Sequence, residues 1–261
     1  MSGQWHLEIA GRVARLSLDR PGARNAISLA MWAKLPSLLR EIEAHGDCRL
    51  LVLRGQGGTF SSGGDIEEFH AASAQPALAR EIHERMQAAL AALKACTLPS
   101  IAALEGSAIG AGLALAVCCD LRIAAPDARL AITPAKLGLL YALADLVRLE
   151  ALIGPAKAKL LLFTARQISA QTALAWGLID EIAAPSLDAA LGALEADMLA
   201  RSPATHKGLK RLFALHAGGQ REENATNRAL FTDAFQGKDF QEGYRAFKAK
   251  REPRFGPPTT D

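Results

Sequence analysis

The pattern of hydrophobic and polar positions changes character along the chain. Residues 5–18 (WHLEIAGRVARLSL) alternate around a Gly-Arg pair, which predicts a β-hairpin. Apolar runs at 49–55 and 99–106 predict buried strands, each ending at glycine, and two more strands are predicted at 120–126 and 128–133. These strands lie too close together for simple βαβ units. We therefore predict an α/β fold with a stacked ββα arrangement.

Apolar residues at helical spacing predict helices between and after these strands. Ser28 is expected to be the N-cap of the first helix. Beyond about residue 143 the chain is predicted to be mostly helical, and the final segment GPPTTD is expected to fray. The predicted helices span 29–45, 76–95, 111–119, 145–153, 155–164, 170–176, 187–201, 204–217, 221–235 and 239–250.

Composition and charge exclude several classes of protein. Half of the 261 residues are apolar, and the net charge of +3 is spread over interspersed acidic and basic residues. The chain has no long Lys/Arg block of the kind that indicates a nucleic-acid partner. The longest apolar stretch, around 108–119, is too short to span a membrane, and the N-terminus lacks a secretory signal. We expect a cytoplasmic protein with no nucleic-acid or membrane partner.

The four cysteines do not indicate a metal site. Cys48, Cys96, Cys118 and Cys119 lack the spacing of metal ligands, and the last two lie in an apolar run. They are predicted to be reduced, buried thiols.

Two predicted strands end in glycine-rich turns that lead toward helices. The first turn is FSSGGDIEEF (60–69) and the second is EGSAIGAGLAL (105–115). Either turn alone could serve only packing, and neither matches a P-loop or a dinucleotide fingerprint. Glycine lets the backbone approach a ligand closely, and a helix N-terminus presents free N–H groups. Two such turns side by side could direct two N–H groups at one oxygen and form an oxyanion hole.

The two turns together resemble the crotonase superfamily, the enoyl-CoA hydratase/isomerase family. FSSGGDI is followed about 40 residues later by PSIAALEGSAIGAGLALAVCCDLRIA, and NAIS, TPAKLGLL, AWGLIDEI and AFKAKREPRF are also similar to family segments. The resemblance implies a crotonase-type spiral of ββα repeats over residues 1–200 that carries the acyl-CoA site. It also implies a C-terminal helical region over 201–261 for trimerisation and CoA contact, in a homotrimer or a dimer of trimers.

The resemblance also implies which residues form the site. The N–H groups of Gly64 and Ala111 would bind the thioester oxygen of an acyl-CoA substrate. No cofactor would be permanently bound, since coenzyme A arrives as part of the substrate. Phe247 and Lys250, expected on one helical face, would contact CoA from a neighbouring subunit. The other residues implied in CoA binding are Ala26, Ser62, Gly64, Asp65 and Ile66.

The chain departs from the family's hydratases at the two catalytic glutamates. The corresponding positions are Ala114 and Ala135, which can neither activate water nor deliver a proton. At most weak hydratase activity is expected. The segment TPAKLGLLY is similar to the methylmalonyl-CoA decarboxylase branch, which makes Tyr141 the candidate functional acid. That branch carries a histidine where this chain has Gly64.

Several functions remain open at this point. An oxyanion hole with Tyr141 could support decarboxylation of a malonyl-type CoA or double-bond isomerisation. Loss of both glutamates also fits a non-catalytic CoA-binding protein. A thioester hydrolase would need Asp145, which also fits a helix N-terminal residue, or a histidine from the segment 66–85 as its base. Glu68 and His70 are further candidates, and Arg148 is expected to be structural.

Overall fold

A computed structural model of the protein describes residues 4–256. Its strands form a six-stranded sheet in the order β1-β2-β3-β4-β6-β9 and a three-stranded sheet in the order β5-β7-β8. In the larger sheet β1 and β2 are antiparallel and every other pair is parallel. The strands are β1 Gln4–Ala10, β2 Val13–Asp19, β3 Leu50–Gly55, β4 Ser100–Leu104, β5 Ser107–Ile109, β6 Leu121–Ala124, β7 Arg129–Ala131, β8 Ile168–Ser169 and β9 Glu181–Ile182.

Helices cover the sheets and make up most of the chain after residue 143. They are α1 Leu29–Ala44, α2 Ile66–Ser73, α3 Pro76–Ala95, α4 Ala111–Cys118, α5 Leu143–Thr164, α6 Ala170–Trp176, α7 Leu187–Leu199, α8 Pro203–Ala217, α9 Ala225–Ala234 and α10 Lys238–Lys248. None of the helices between residues 4 and 256 combines the length and apolar character that a membrane crossing requires.

The stacked ββα arrangement follows from how the chain alternates between the two sheets. β4 belongs to the large sheet, β5 to the small sheet, and α4 follows them; β6 and β7 then repeat the same step. The side chains of β4 are buried along its whole length, as expected of a strand covered on both faces. α4 is apolar on every side and lies inside the core, where Gly112–Cys118 are all buried.

Most predicted elements are confirmed, including the hairpin and the Ser28 cap, whose hydroxyl accepts a hydrogen bond from the Met31 amide. The four cysteines are free and buried, as predicted. The apolar pattern did not indicate α2, β5 or β8, whereas β9 lies in AWGLIDEI, which resembles a family strand. α2 has only eight residues, and β5 has three within a glycine-rich turn, so neither repeats its pattern often enough to stand out.

The helices predicted at 145–153 and 155–164 are confirmed: α5 consists of two helical segments that meet in a kink at Gly154, whose φ of 75° is not helical, and the first segment begins at Leu143. The end of the last helix needs correction. The last helix was predicted to reach residue 250, but α10 ends at Lys248. Lys250 has a φ of 50°, and its amide bonds back to the Phe247 carbonyl. Phe247 and Lys250 therefore do not share a helical face, because the chain has already left the helix.

The predicted C-terminal region is helical, and α8 and α9 contain no buried residue. Lys210 of α8 ties this region to the core through a 2.7 Å ion pair with Asp120. The predicted fraying of GPPTTD concerns residues 256–261, of which 257–261 lie outside the described residues.

Candidate active site

The two glycine turns lie side by side. The Ser61 amide donates to the Ser107 carbonyl at 2.8 Å, and the Ile109 amide donates to the Ser61 carbonyl at 2.9 Å. One step further along both turns, a Cβ atom placed on Gly63 would lie 3.8 Å from the nitrogen of Ala111. The folded chain therefore brings the neighbourhoods of Gly64 and Ala111 together, as the oxyanion-hole hypothesis requires.

Both predicted donor amides are free. Within residues 4–256, neither the Gly64 nor the Ala111 N–H has a hydrogen-bond acceptor, although their neighbours Gly63, Asp65 and Gly110 all donate. Ala111 is the first residue of α4, where the helix offers no acceptor for its amide. The preceding Gly110 has a φ of 54°, which favours glycine and turns the chain into the helix.

Phe69 occupies the space where a side chain at position 64 would project. A Cβ atom built on Gly64 would lie 2.4 Å from the ring Cζ of Phe69. The histidine that the decarboxylase branch carries at this position would therefore collide with the Phe69 ring as it stands. Phe69 belongs to α2 and also lines the pocket next to the free amides.

A pocket of about 330 Å³ begins beside Ala111 and is lined mainly by apolar side chains. Ala114, at the position that the resemblance gives to one hydratase glutamate, lies in its wall. Ala135, at the position of the other, is exposed and does not line the pocket, whereas its neighbour Pro134 does. Neither residue has a carboxylate, so the acid–base pair of a hydratase is absent from these positions. The lining residues comprise Phe69, Ala72, Ser73, Ala79, Ile82, His83, Met86, Gly110, Ala111, Ala114, Pro134, Leu139, Leu140, Tyr141, Ala142 and Asp145.

Tyr141 presents an unpartnered hydroxyl group in this pocket. Its ring is partly exposed, but the hydroxyl oxygen is buried without a hydrogen-bond partner among the described residues. Burial raises the pKa of the phenol well above its ordinary value, and the nearby Asp145 and Cys118 raise it further. Tyr141 is therefore neutral near pH 7, and its hydroxyl is available as a hydrogen-bond donor.

Asp145 brings a carboxylate into the same pocket. Its side chain is 2% exposed, and its two oxygens accept from Gln87 Nε2 at 3.0 Å and from Arg148 Nη1 at 2.7 Å. Burial raises the pKa of Asp145, against the opposing effects of Gln87, Arg148 and His83. A carboxyl group with a raised pKa in an apolar pocket is suited to proton transfer. Arg148 fixes the position of this carboxylate through their ion pair, and this contact is consistent with the structural role expected for Arg148.

The residues predicted to contact CoA near the first turn form one neighbourhood outside the pocket lining. Ile27 and Gly64 form an isolated parallel β-bridge, and the Ser62 amide donates a hydrogen bond to the Arg24 carbonyl. Ile66 is about half exposed. Ala26 accepts a hydrogen bond from Arg20 Nη1 at 3.3 Å.

Asp65 is held tightly in the same neighbourhood. It caps α2 and forms a 2.5 Å ion pair with Arg20. Burial alone would raise the pKa of Asp65, but hydrogen bonds from Arg20 and from the Glu68 and Glu67 amides outweigh it and lower the pKa. This carboxylate fixes the turn that carries the Gly64 amide.

The comparisons with known proteins agree with this geometry. The family model described as enoyl-CoA hydratase/isomerase matches residues 8–258. The chain belongs to the enoyl-CoA hydratase/isomerase family. A protein of Bacillus subtilis described as a probable enoyl-CoA hydratase is 34% identical over 246 residues, which cover 93% of this chain and 95% of the relative.

Two further matches broaden the picture of the family. A peroxisomal Δ3,5-Δ2,4-dienoyl-CoA isomerase of Arabidopsis thaliana is 30% identical over 257 residues, covering 93% of this chain and 92% of the isomerase. The crystal structure of an enoyl-CoA hydratase/isomerase family protein from Hyphomonas neptunium superposes with a TM-score of 0.92 at 37% identity, covering 97% of both chains. The predicted crotonase-type fold is confirmed.

Other candidate residues of this family member lie away from the pocket. Glu68 accepts a hydrogen bond from the Leu29 amide at 2.7 Å, and His70 is exposed on α2. Phe247 is 81% exposed, far along the chain from the pocket residues, as a residue that meets a neighbouring subunit could be. Among residues 4–256, no group of three or more His, Cys, Asp or Glu side chains could hold a metal ion.

The sequence did not single out His83 among the histidines of residues 66–85, and it did not indicate Gln87. They lie four residues apart on one face of α3, where His83 lines the pocket and Gln87 bonds Asp145. In the sequence these positions look like the polar face of an ordinary amphipathic helix. Only the packing of α3 beside α4 and the start of α5 turns that face toward the site.

Proposed function

We propose that this protein isomerises the double bond of an enoyl-CoA through a thioester enolate. The observation that supports the proposal is that Ala111, whose amide is free, Tyr141 and Asp145 all line a single pocket. The first would stabilise the enolate oxygen together with Gly64, and the other two would handle protons. Similarity to the dienoyl-CoA isomerases supports the same chemistry.

The proposed reaction moves one proton and one double bond. Asp145 takes a proton from C2 of a 3-enoyl thioester, and the electron pair of that C–H bond passes into the enolate. The Gly64 and Ala111 amides stabilise the developing oxyanion. The enolate is then protonated at C4, by Asp145 or by Tyr141 with proton return from Asp145, which leaves a 2-enoyl thioester.

Isomerisation suits this site better than hydration because it needs one base rather than two carboxylates acting on water and carbon. Ala114 and Ala135 leave the hydratase positions without a carboxylate. Hydration of crotonyl-CoA is therefore expected to stay below roughly 10 per second, a median turnover for enzymes.

The experiment follows conversion of 3-enoyl-CoA to 2-enoyl-CoA by the wild-type protein and by Asp145→Asn. Loss of its base should lower kcat at least about 100-fold, as expected when a general base is removed. Glu150→Gln is the matched control, because it removes an exposed carboxylate from the same helix, α5. If Asp145→Asn isomerised as fast as the wild-type protein, Asp145 would not be the base.

Decarboxylation of a malonyl-type CoA is a second candidate, favoured by the neutral, unpartnered Tyr141 hydroxyl. Loss of CO2 creates the enolate without a base and needs only an acid to protonate C2. Against it stands Asp145, whose negative charge opposes a substrate carboxylate in the same apolar pocket.

The two reactions respond differently to the same pair of variants. The rate of decarboxylation should be little changed in Asp145→Asn and should be mostly lost in Tyr141→Phe.

Two other outcomes would identify the remaining alternatives. A protein that binds acyl-CoA but turns over neither substrate would be the non-catalytic homologue, and release of free CoA would indicate a thioester hydrolase.

A further inference from the structure

Asp145 has one hydrogen-bond donor on each carboxylate oxygen, and the two donors come from different helices. Arg148 Nη1 in α5 donates to Oδ1 at 2.7 Å, and Gln87 Nε2 in α3 donates to Oδ2 at 3.0 Å. Because the side chain of Asp145 is only 2% exposed, these donors replace the water that would solvate an exposed carboxylate. Among residues 4–256 no other group donates to it, so the two donors fix its position in the pocket wall.

Gln87 reaches Asp145 from outside the pocket lining. α3 packs beside α4 and buries Leu90 and Leu93 in the core, which fixes the helix in place. Gln87 is half-buried and does not line the pocket, whereas Met86 immediately before it does. The side chain of Gln87 is therefore placed to act on Asp145 and not directly on a substrate.

Four titratable or charged groups face Asp145 from the elements packed around it. They lie on α3, on α4, before α5 and on α5: His83, Cys118, Tyr141 and Arg148. Burial raises the pKa of Tyr141 well above its ordinary value and that of Cys118 to about 11, so neither carries a charge near pH 7. Of the four, only Arg148 and His83 favour the ionised form of the Asp145 carboxyl group.

A glutamine suits a carboxyl group that exchanges a proton. Its amide carries both a donor and an acceptor, so Nε2 donates to the ionised carboxylate, and Oε1 can accept from the protonated form after rotation of the amide. Burial raises the pKa of Asp145, and the hydrogen bond from Gln87 opposes that rise. Without this donor, Oδ2 would be buried with no partner, which penalises the ionised form that acts as a base.

We propose that Gln87 is a positioning residue of this site, which fixes Oδ2 of Asp145 from α3 and keeps the carboxylate available as a proton acceptor. The inference rests on the proposed function, because it takes Asp145 as the base of the isomerisation. The effect of Gln87 on the titration of Asp145 can also be measured without turnover.

The first test compares the pH profiles of kcat and kcat/KM for isomerisation of 3-enoyl-CoA in the wild-type protein, Gln87→Met and Gln87→Glu. Gln87→Met removes the donor, so the acidic limb should move to higher pH by about one pH unit, as expected for loss of a hydrogen bond to a charged group. Gln87→Glu keeps the shape but brings a second carboxylate against Oδ2, so its limb should move further. KM should stay close to the wild-type value in Gln87→Met, because residue 87 does not line the pocket.

The second test needs no activity. The free energy of unfolding of a protein minus that of its Asp145→Asn variant is measured across pH, once in the wild-type background and once in Gln87→Met. This difference decreases as pH rises through the folded-state pKa of Asp145, so the decrease should extend to higher pH in Gln87→Met. If it does so in a protein that lacks isomerase activity, the proposed reaction fails and the effect of Gln87 on Asp145 stands.

Glu84→Met is the matched control, since it introduces the same side chain at an exposed position of α3 outside the pocket. It should leave the acidic limb and the unfolding difference as they are in the wild-type protein. An acidic limb or an unfolding difference that does not move in Gln87→Met would overturn the inference. A rise in KM at unchanged kcat would also overturn it, because Gln87 would then contribute to substrate binding alone.

Discussion

At the scale of single residues, the site is defined by which groups are missing and which take their place. Ala114 and Ala135, at the positions that the resemblance gives to the two glutamates of a hydratase, have no carboxylate, whereas Tyr141 and Asp145 line the pocket from the segment before α5 and from its first turn. Burial raises the pKa of both groups. Tyr141 therefore stays protonated, and Asp145 holds its proton more readily than an exposed carboxyl group.

The pH dependence of the reaction should report the raised pKa of Asp145. A base acts when ionised, so kcat/KM for isomerisation should rise with pH through a value above 3.9, the ordinary pKa of aspartate. Below that value activity should fall about tenfold per pH unit. The measurement is a pH–rate profile, with the groups around Asp145 (Arg148, Gln87, His83 and Tyr141) left intact.

The raised pKa of Asp145 also affects the free energy of unfolding, which should decrease with rising pH whereas activity increases. Because the folded-state pKa is raised, the stabilising contribution of Asp145 is complete below its unfolded pKa and is lost as pH rises through the folded value. In urea unfolding over this window, the free energy of unfolding of the wild-type protein minus that of Asp145→Asn should decrease as pH rises, because other carboxyl groups such as Asp65 titrate in both proteins. A pH–rate profile with its acidic limb at or below 3.9 would contradict the assignment of Asp145 as a buried base.

At the scale of elements, the N-terminus of α4 holds the free amide of Ala111, which is the donor in the proposed reaction. Ala111→Pro should remove this N–H while leaving the helix in place, because proline is tolerated at the first helical position. Gly110 before it has no Cβ to collide with the ring. Loss of one oxyanion donor should lower kcat about 100- to 1000-fold.

Ala111→Ser keeps the N–H and is the control for the change of side chain. Circular dichroism and thermal unfolding of both variants should match the wild type, which separates a lost donor from a lost helix. Wild-type kcat in Ala111→Pro would show that the amide of residue 111 takes no part in the reaction.

The elements also show where sequence reasoning succeeds. The glycine turns, the strands before them and α4 were predictable because turn chemistry and apolar runs are local signals. The closeness of Gly63 to Ala111 was reached only through the family resemblance, since the pairing of Ser61 with Ala108 depends on two distant segments. The contact of Gln87 with Asp145 had no local signal, because it depends on how α3 and α5 pack.

At the scale of the whole molecule, the exposed aromatic side chains of α8–α10 indicate an interface. Phe213, Phe231 and Phe247 are 71%, 66% and 81% exposed, and α8 and α9 bury no residue within the chain. Large apolar surface of this kind is rare on monomers. We therefore expect the protein to assemble as a trimer or a dimer of trimers, as the family resemblance implies.

Analytical ultracentrifugation of the full chain should give three or six times the chain mass, and Phe213→Ser should shift this assembly toward monomers at low micromolar concentration. Lys207→Ser, an exposed change on the same helix, should leave the mass unaltered.

If Phe247 and Lys250 contact CoA across the interface, Phe213→Ser should also raise the Kd for CoA, although residue 213 is far in sequence from both glycine turns. A monomeric wild-type protein that binds CoA tightly would exclude a contribution from a neighbouring subunit, and the CoA site would then have to be complete within one chain.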